Sequence, residues 1–171
     1  LADERGFRTD VLAAMRRLGV PVLRWPGGNF ASNYHWEDGI GPKNQRPPRF
    51  DAAWSAPESN QVGTDEYLAL MRRLGAEPFL VVNDGSGTSE EAARWVEYCN
   101  APAGTRYADL RVKHGHPEPY KVKFWALGNE PDGPWQLGHK NKEDYTKFAI
   151  EAAKMMRAAD ALCGVYPRLN R

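Results

Sequence analysis

Cysteine is scarce in this chain, and its scarcity excludes several classes of protein. Cys99 and Cys163 are too few and too far apart for a disulfide framework or a thiolate metal site. Each is expected to be a small, buried hydrophobic residue. The four histidines show no helical His-x-x-x-His spacing, so we predict neither a metal nor a cofactor.

Long hydrophobic runs and an excess of one charge are also lacking. No apolar run approaches the roughly 20 residues that span a bilayer, so we expect a soluble protein without a membrane partner. The formal net charge of +1 gives no electrostatic reason to expect a nucleic-acid partner. Because the chain begins at Leu1 rather than Met, a removed signal peptide or a missing N-terminal segment would not be visible.

Hydrophobic periodicity alternates between helix-like and strand-like segments. Apolar residues recur at helical spacing in four stretches, residues 3–18, 64–74, 92–99 and 142–160. In the first stretch the predicted apolar face is Phe7, Val11, Ala14, Met15 and Leu18, and we expect Gly19 to end the helix. Thr64 is the predicted N-cap of the second helix, and Thr88 has capping-box spacing to Glu91 before the third. Three short apolar runs lie between the four stretches, residues 20–26, 77–82 and 120–127, and each predicts a strand. The order α-β-α-β-α-β-α predicts an α/β protein with a parallel sheet and right-handed crossovers.

The connections at the two ends of the predicted strands differ in length. Residues 27–63 follow the first strand before a helix begins, whereas the helix-to-strand turns at residues 19–20 and 75–76 are minimal. Long connections at strand carboxyl ends are typical of the binding face of a (β/α)8 barrel. A doubly wound open sheet binds ligands at the same ends, so this pattern leaves both architectures open.

Polar residues follow each predicted strand, at residues 27–29, 83–84 and 129–130. Parallel strands bring these ends to one rim, so we predict a shared pocket there. The alternative is that Asn and Asp only initiate turns. That alternative is weaker for Glu130, because Glu is a poor turn residue and Pro131 follows it. The Gly-Gly pair at residues 27–28 matches neither a phosphate loop nor a dinucleotide fingerprint. We expect it to let the backbone pass close to a neighbour and leave Asn29 facing the pocket, and a simple bend of the chain is the alternative.

Aromatic residues are abundant, with six Trp and seven Tyr. Trp95 and Trp125 fall within a predicted helix and strand and are expected in the core. The remaining candidates lie at strand ends or in the loops beyond them: Trp25, Tyr34, Trp36, Trp54 and Trp135. For Trp54 and Trp135, stacking on a sugar ring and burial are both open.

Several long motifs, in order, resemble the α-L-arabinofuranosidases of glycoside hydrolase family 51. They include "LRWPGGNF", "WEDGIGP", "NQVGTDEYL", "VEYCN", "LRVKHGHPEPYKVKFWALGNEPDGPWQLGHK" and "DYTKFAIEAAKMM". The resemblance runs from about residue 3 to residue 160. It implies a (β/α)8 barrel with an attached β-sandwich. It also implies removal of terminal arabinofuranosyl groups from arabinan, arabinoxylan and related oligosaccharides, with retention of configuration.

The resemblance also implies roles for individual residues. Glu130 of "GNE" matches the general acid/base, and Asn129 matches a residue that hydrogen-bonds the sugar near its 2-hydroxyl. Asn29 of "PGGN" matches another sugar-binding Asn, and Trp54 falls where the family places an aromatic near the substrate. The three predicted strands would then be the second, third and fourth of a partial (β/α)8 TIM barrel with flanking helices.

The chain departs from the family in extent. A complete barrel takes about 250 residues, so we expect residues 1–171 to form an incomplete (β/α)8 catalytic domain that lacks the second half of the barrel and any β-sandwich. No motif matches the family's nucleophilic Glu, and residues 163–171 no longer follow the family pattern. Three acids, Asp38, Glu58 and Asp84, are expected on the rim, and none is assigned as the nucleophile.

Three functions follow from these patterns. The first is a retaining, exo-acting α-L-arabinofuranosidase whose partners are arabinose-containing oligosaccharides or polysaccharides. The alternatives are an inactive sugar-binding or structural fragment, and an endo-β-glucanase or xylanase of the same barrel class. By resemblance, a cytoplasmic location is favoured, and the full-length protein is a candidate homo-oligomer.

Overall fold

The computed structural model describes residues 2–161, and within them helices and strands alternate. The helices are α1 (Thr9–Leu18), α2 (Thr64–Leu74), α3 (Ser89–Asn100), α4 (Arg106–Lys113) and α5 (Lys142–Ala161). The strands are β1 (Val22–Trp25), β2 (Arg49–Asp51), β3 (Ala56–Glu58), β4 (Glu77–Val81) and β5 (Phe124–Ala126). Three short 3-10 helices, Gly28–Asn33, Trp36–Gly39 and Lys43–Gln45, lie between β1 and β2.

Strands β1, β4 and β5 form one parallel sheet in that spatial order. The register aligns Trp25 with Leu80 and Leu80 with Trp125, so the three strands end at the same edge. The predicted mixed α/β architecture with a parallel sheet is therefore confirmed. The register also places the segments that follow the strands side by side.

An aromatic core fills the space between the sheet and the helices. Trp25 of β1 stacks on Tyr67 of α2, with ring centroids 5.2 Å apart. Trp95 of α3 stacks on Trp36, with ring centroids 6.0 Å apart. It also meets Trp125 of β5 edge-on, with ring centroids 5.6 Å apart. The predicted core position of Trp95 is correct, and Trp125 is partly buried. Each of these large aromatic rings buries a large apolar area, which stabilises this layer.

The opposite face of the sheet is only partly covered within residues 2–161. Side chains alternate between the two faces of a strand. Trp25, Leu80 and Trp125 are aligned across the sheet and face the core, so their neighbours Arg24, Phe79 and Phe124 face the opposite side. Phe124 is 48% exposed, whereas Leu80 is completely buried. One face of the sheet is thus core, whereas on the other face Phe124 is exposed and Val81, at the carboxyl end of β4, is buried.

The first helix differs from its prediction. It begins at Thr9 rather than at residue 3, because the Asp3 carboxylate accepts hydrogen bonds from the backbone N–H groups of Arg5 and Phe7. Such local side-chain bonds compete with helix formation. The predicted apolar face (Phe7, Val11, Ala14, Met15 and Leu18) was wrong in part. Val11 and Leu18 are exposed, Ala14 and Met15 are half-buried, and the buried residue of α1 is Leu12. Gly19 ends the helix in the left-handed conformation, as predicted.

The start of α3 follows local capping rules, whereas the start of α2 is decided by tertiary packing. Thr88 caps α3 as predicted, its Oγ1 accepting the Glu91 N–H at 3.0 Å. Thr64 was predicted to cap α2, but the cap is Gly63, whose N–H donates to the Glu66 carboxylate at 2.9 Å. Thr64 instead accepts the Trp95 indole N–H. Gly63 is required there because a Cβ would overlap the backbone of Gly39.

Two elements were not predicted, helix α4 and the antiparallel β2–β3 hairpin. Both are too short to show a clear period. The third parallel strand, β5, is shorter than predicted, because the backbone groups of Val122 are hydrogen-bonded to the side chain of Asn100 instead of to a neighbouring strand. The Asn100 side chain accepts the Val122 N–H at 2.8 Å and donates to the Val122 carbonyl at 2.9 Å. Cys99 is buried as expected, whereas Cys163 and the divergent tail from residue 163 onward lie outside the described residues.

Candidate active site

The segments that follow the three parallel strands meet at one rim, and Asp84 joins them. Its carboxylate accepts a hydrogen bond from Ser32, beyond β1, at 3.4 Å. The same oxygen accepts the backbone N–H of Asn129, beyond β5, at 3.3 Å. Asp84 is almost completely buried, and burial raises the pKa of its carboxyl. Through these bonds Asp84 connects the segments that follow β1 and β5.

Glycines allow the rim segments to approach this closely. Gly128 has a φ of +98°, and a Cβ at this position would overlap the Asp84 carboxyl. Gly138 has a φ of +72°, and its Cβ would overlap the backbone of Gly85. Both positions therefore need glycine for its backbone conformation and for its lack of a side chain.

Three of the four polar groups of Asn129 are hydrogen-bonded, and one donor group is free. Its Oδ1 accepts a hydrogen bond from the Arg24 guanidinium at 3.1 Å, which sets the orientation of the amide. Its backbone carbonyl accepts from Gln136 Nε2 at 2.7 Å, and its N–H is bonded to Asp84. The Nδ2 atom is buried and has no hydrogen-bond partner within residues 2–161. Unpaired buried donors are rare in proteins.

Glu130 follows Asn129 directly and lies exposed on the rim. Its φ is +46°, a left-handed conformation that costs a non-glycine residue about 1–3 kcal/mol. Its carbonyl accepts the Gly133 N–H at 3.0 Å, which closes a turn directly after it. Its carboxylate has no hydrogen-bond partner among the described residues.

The other predicted site residues lie in the connections that follow β1 and β5. Asn29 is half-buried in the 3-10 helix that follows β1. Trp54 lies in the turn of the β2–β3 hairpin and is 67% exposed, and Trp135 is 68% exposed, so the burial alternative was wrong for both. The two remaining rim acids are engaged, since Asp38 binds the Arg49 guanidinium at 2.7 Å and Glu58 accepts the Asn60 N–H at 2.7 Å.

Sequence reasoning missed Arg24 and Gln136. Arg24 carried a signal, because it is a lone charge inside the apolar run "VPVLRWP", close to a strand end. Gln136 carried none, because it sits between exposed Trp135 and Leu137 in a loop. Within residues 2–161 there is no cluster of His, Cys, Asp and Glu that could hold a metal ion. Nor does any helix there have the length and apolar character to cross a membrane.

This fold and rim define a class of protein. A parallel α/β sheet gathers an arginine, an asparagine with a free amide donor and an exposed glutamate at its carboxyl edge. That is the edge at which α/β enzymes bind their ligands. The chain belongs to the family described as "Alpha-L-arabinofuranosidase 1 domain", whose sequence profile matches residues 14–169.

Individual relatives agree with this assignment. Alpha-L-arabinofuranosidase C of Emericella nidulans is 53% identical over 169 residues, which cover 96% of this chain and 34% of the relative. The intracellular exo-alpha-(1->5)-L-arabinofuranosidase of Halalkalibacterium halodurans is 49% identical over 158 residues, 92% of this chain and 32% of the relative. The chain thus spans about a third of the length of these curated relatives.

A solved structure shows the same fold. The GH51 alpha-L-arabinofuranosidase from Thermotoga petrophila RKU-1 matches with a TM-score of 0.92 and 58% sequence identity. The match covers 95% of this chain and 34% of that protein. The predicted resemblance to family 51 α-L-arabinofuranosidases, which are glycoside hydrolases, is confirmed.

Proposed function

We propose that this chain is the part of a retaining, exo-acting α-L-arabinofuranosidase that carries the general acid/base, Glu130. The whole protein would remove terminal α-L-arabinofuranosyl groups from arabinose-containing oligosaccharides and polysaccharides. Residues 1–171 would supply the second to fourth strands of a (β/α)8 barrel. The observation that carries the proposal is the free, buried Nδ2 donor of Asn129 beside the unpaired carboxylate of Glu130.

The proposed mechanism follows from the freedom of the Glu130 carboxylate. A retaining glycosidase uses two carboxyls about 5–5.5 Å apart, one as nucleophile and one as acid and then base. Protonated Glu130 would donate its proton to the departing glycosidic oxygen. As a carboxylate it would then take a proton from the water that releases the sugar.

Asn129 and its neighbours would hold the sugar. The Nδ2 group of Asn129 would donate to a sugar hydroxyl, and Arg24 keeps that donor pointed away from itself by occupying Oδ1. Asn29 would supply a second amide from the neighbouring segment. Trp54, exposed at the tip of the hairpin, would stack on the substrate.

The nucleophile is not assigned among the described residues. Asp84 is committed to Ser32 and to the backbone of Asn129, and Asp38 is committed to Arg49. We therefore propose that the nucleophile belongs to the portion of the relatives that this chain does not span. By itself the chain would bind arabinosyl groups without hydrolysing them, and this sugar-binding role is the second candidate function.

The names of the relatives support further features of the proposal. The Halalkalibacterium halodurans relative is named as intracellular and exo-acting, which supports a cytoplasmic location and an exo mode for the whole protein. A homo-oligomeric state stays a prediction for the whole protein. No name among the relatives described above supports the endo-β-glucanase or xylanase alternative.

Kinetics of the whole protein test the proposal. We expect hydrolysis of 4-nitrophenyl α-L-arabinofuranoside, and we expect Glu130→Ala to slow it by about 10²–10⁴-fold. Azide should restore part of the lost turnover, because it attacks the glycosyl-enzyme intermediate without needing a base. Full activity of Glu130→Ala would overturn the assignment of Glu130. Turnover by the 171-residue chain alone would overturn the proposal that its nucleophile lies elsewhere.

A further inference from the structure

The loop that carries Glu130 is closed and internally bonded. The Lys140 N–H donates to the Pro131 carbonyl at 2.7 Å, which joins the two ends of the loop. Inside it, the Gln136 N–H donates to the Gly133 carbonyl at 2.9 Å. Lys140 Nζ also donates to the Asp84 carbonyl beyond β4. The loop, residues 130–140, is thus fixed to the rim on which it sits.

In this loop a polar side chain is buried and its apolar neighbours are exposed, the reverse of the usual pattern. The polar residue Gln136 is 5% exposed, whereas its apolar neighbours Trp135 and Leu137 are 68% and 48% exposed. Burial of an amide side chain is unfavourable unless its groups are hydrogen-bonded. Gln136 satisfies this condition through the bond from its Nε2 to the Asn129 carbonyl, at 2.7 Å.

That carbonyl belongs to the peptide bond between Asn129 and Glu130. The peptide unit is planar, so fixing its oxygen fixes the direction of the Glu130 N–H as well. The N–H of Asn129, on the other side of the same residue, is held by Asp84 at 3.3 Å. Glu130 adopts a positive φ of +46°, which persists only where the surroundings hold it.

We propose that Gln136 is a positioning residue for the acid/base: its amide holds the Asn129–Glu130 peptide and thereby sets the direction of the Glu130 carboxyl. This inference rests on the proposed function of Glu130. Gln136 itself touches neither substrate nor reacting atoms. Its loss is expected to weaken proton donation to the leaving group more than it weakens sugar binding.

A leaving-group series distinguishes this role from a structural one. Proton donation matters most when the leaving group is a poor one, such as the alkoxide of an oligosaccharide, and least for an activated phenol. In the whole protein, Gln136→Leu should lower kcat/KM about 10–100-fold for arabino-oligosaccharides and less than about 3-fold for the most activated aryl arabinofuranoside. Leu137→Ala, an exposed neighbour in the same loop, is the matched control and should leave the series unchanged.

A second variant, Gln136→Glu, should restore the hydrogen bond to the Asn129 carbonyl at low pH. It also tests the proposal if Gln136→Leu does not fold. In Gln136→Glu the new carboxyl can donate to the Asn129 carbonyl only while it is protonated. Its kcat/KM for oligosaccharides, divided by that of the unsubstituted protein, should therefore rise as the pH falls.

Each outcome has a distinct meaning. An equal loss across the leaving-group series, or no loss, would overturn the positioning role, and so would a Gln136→Glu ratio that does not change with pH. Glu130→Ala sets the reference, because it should give the steepest dependence on the leaving group. If Glu130→Ala gives no such dependence, the proposed function of Glu130 fails instead.

Discussion

Arg24 and Asn129 meet across a strand that lies between them. Arg24 belongs to β1 and Asn129 follows β5, and β4 separates these two strands in the sheet, yet the guanidinium donates to Asn129 Oδ1 at 3.1 Å. The bond spans 105 positions of sequence. It fixes which end of the Asn129 amide is free, and that end is the one without a partner in the described part of the chain.

Removing the guanidinium should release the Asn129 amide. In the whole protein we expect Arg24→Ala to raise KM for arabinofuranosides by about 10-fold or more, since a hydrogen bond to a charged group contributes about 1.5–3 kcal/mol. Arg17→Ala, which removes an exposed arginine from α1, is the matched control and should leave KM unchanged. Steady-state kinetics of the two variants measure this difference. Equal KM values in both would mean that the Arg24 contact does not support substrate binding.

Gly128 should tolerate no side chain. Gly128→Ala is expected to lower the free energy of unfolding by more than about 2 kcal/mol, because it combines a positive φ with overlap onto the Asp84 carboxyl. Gly115 has a similar φ of +92° but open space around its Cβ position, so Gly115→Ala isolates the backbone cost. Urea unfolding curves give both values. If Gly115→Ala is as destabilising as Gly128→Ala, contact with Asp84 does not explain the requirement for glycine.

Asp84 should make stability fall as the pH rises. Burial raises the pKa of its carboxyl in the folded state above the unfolded value, so the folded protein holds this proton more tightly. The stabilising contribution is complete below the unfolded pKa, near 3.9, and is lost as the pH rises through the folded pKa. The melting temperature of Asp84→Asn, relative to that of the unsubstituted protein, should therefore be higher at pH 7 than at pH 4. A difference that is the same at both pH values would contradict this linkage.

Trp54 and Trp135 provide a matched pair, because they are exposed to nearly the same extent. Stacking of Trp54 on the substrate predicts that Trp54→Ala raises KM for arabino-oligosaccharides by about 3–10-fold, in line with the roughly 0.5–1.5 kcal/mol of a favourable ring contact. Trp135→Ala should have a smaller effect on KM. Kinetics with oligosaccharides of increasing length measure both. Equal effects would remove the distinction between the two tryptophans.

The alternation of helices and strands was visible in the sequence, because it depends on spacing within each segment. The parallel sheet followed from that alternation, and Gly19 and Thr88 were identified as helix ends from local chemistry alone. The start of α1 was wrong because the Asp3 carboxylate competes for backbone N–H groups. The start of α2 was wrong because Gly63 packs on the backbone of Gly39, which lies far away in sequence.

The candidate site divides in the same way. The polar residues at the strand ends, Asn29, Asn129 and Glu130, could be named from the sequence, since parallel strands must end on one rim. The hydrogen bonds of Arg24 and Gln136 could not, because each depends on a side chain reaching a group that the local pattern does not specify.

By itself, therefore, the sequence determined the order of elements, the strand ends and the residue types that follow them. Only the tertiary structure decided which amide donor stays free and how the peptide before Glu130 is held. The physical reason is the sequence separation over which each interaction acts. Periodicity and capping act over a few residues, whereas the contacts of Asn129 with Arg24 and Asp84 join groups that only the folded sheet brings together.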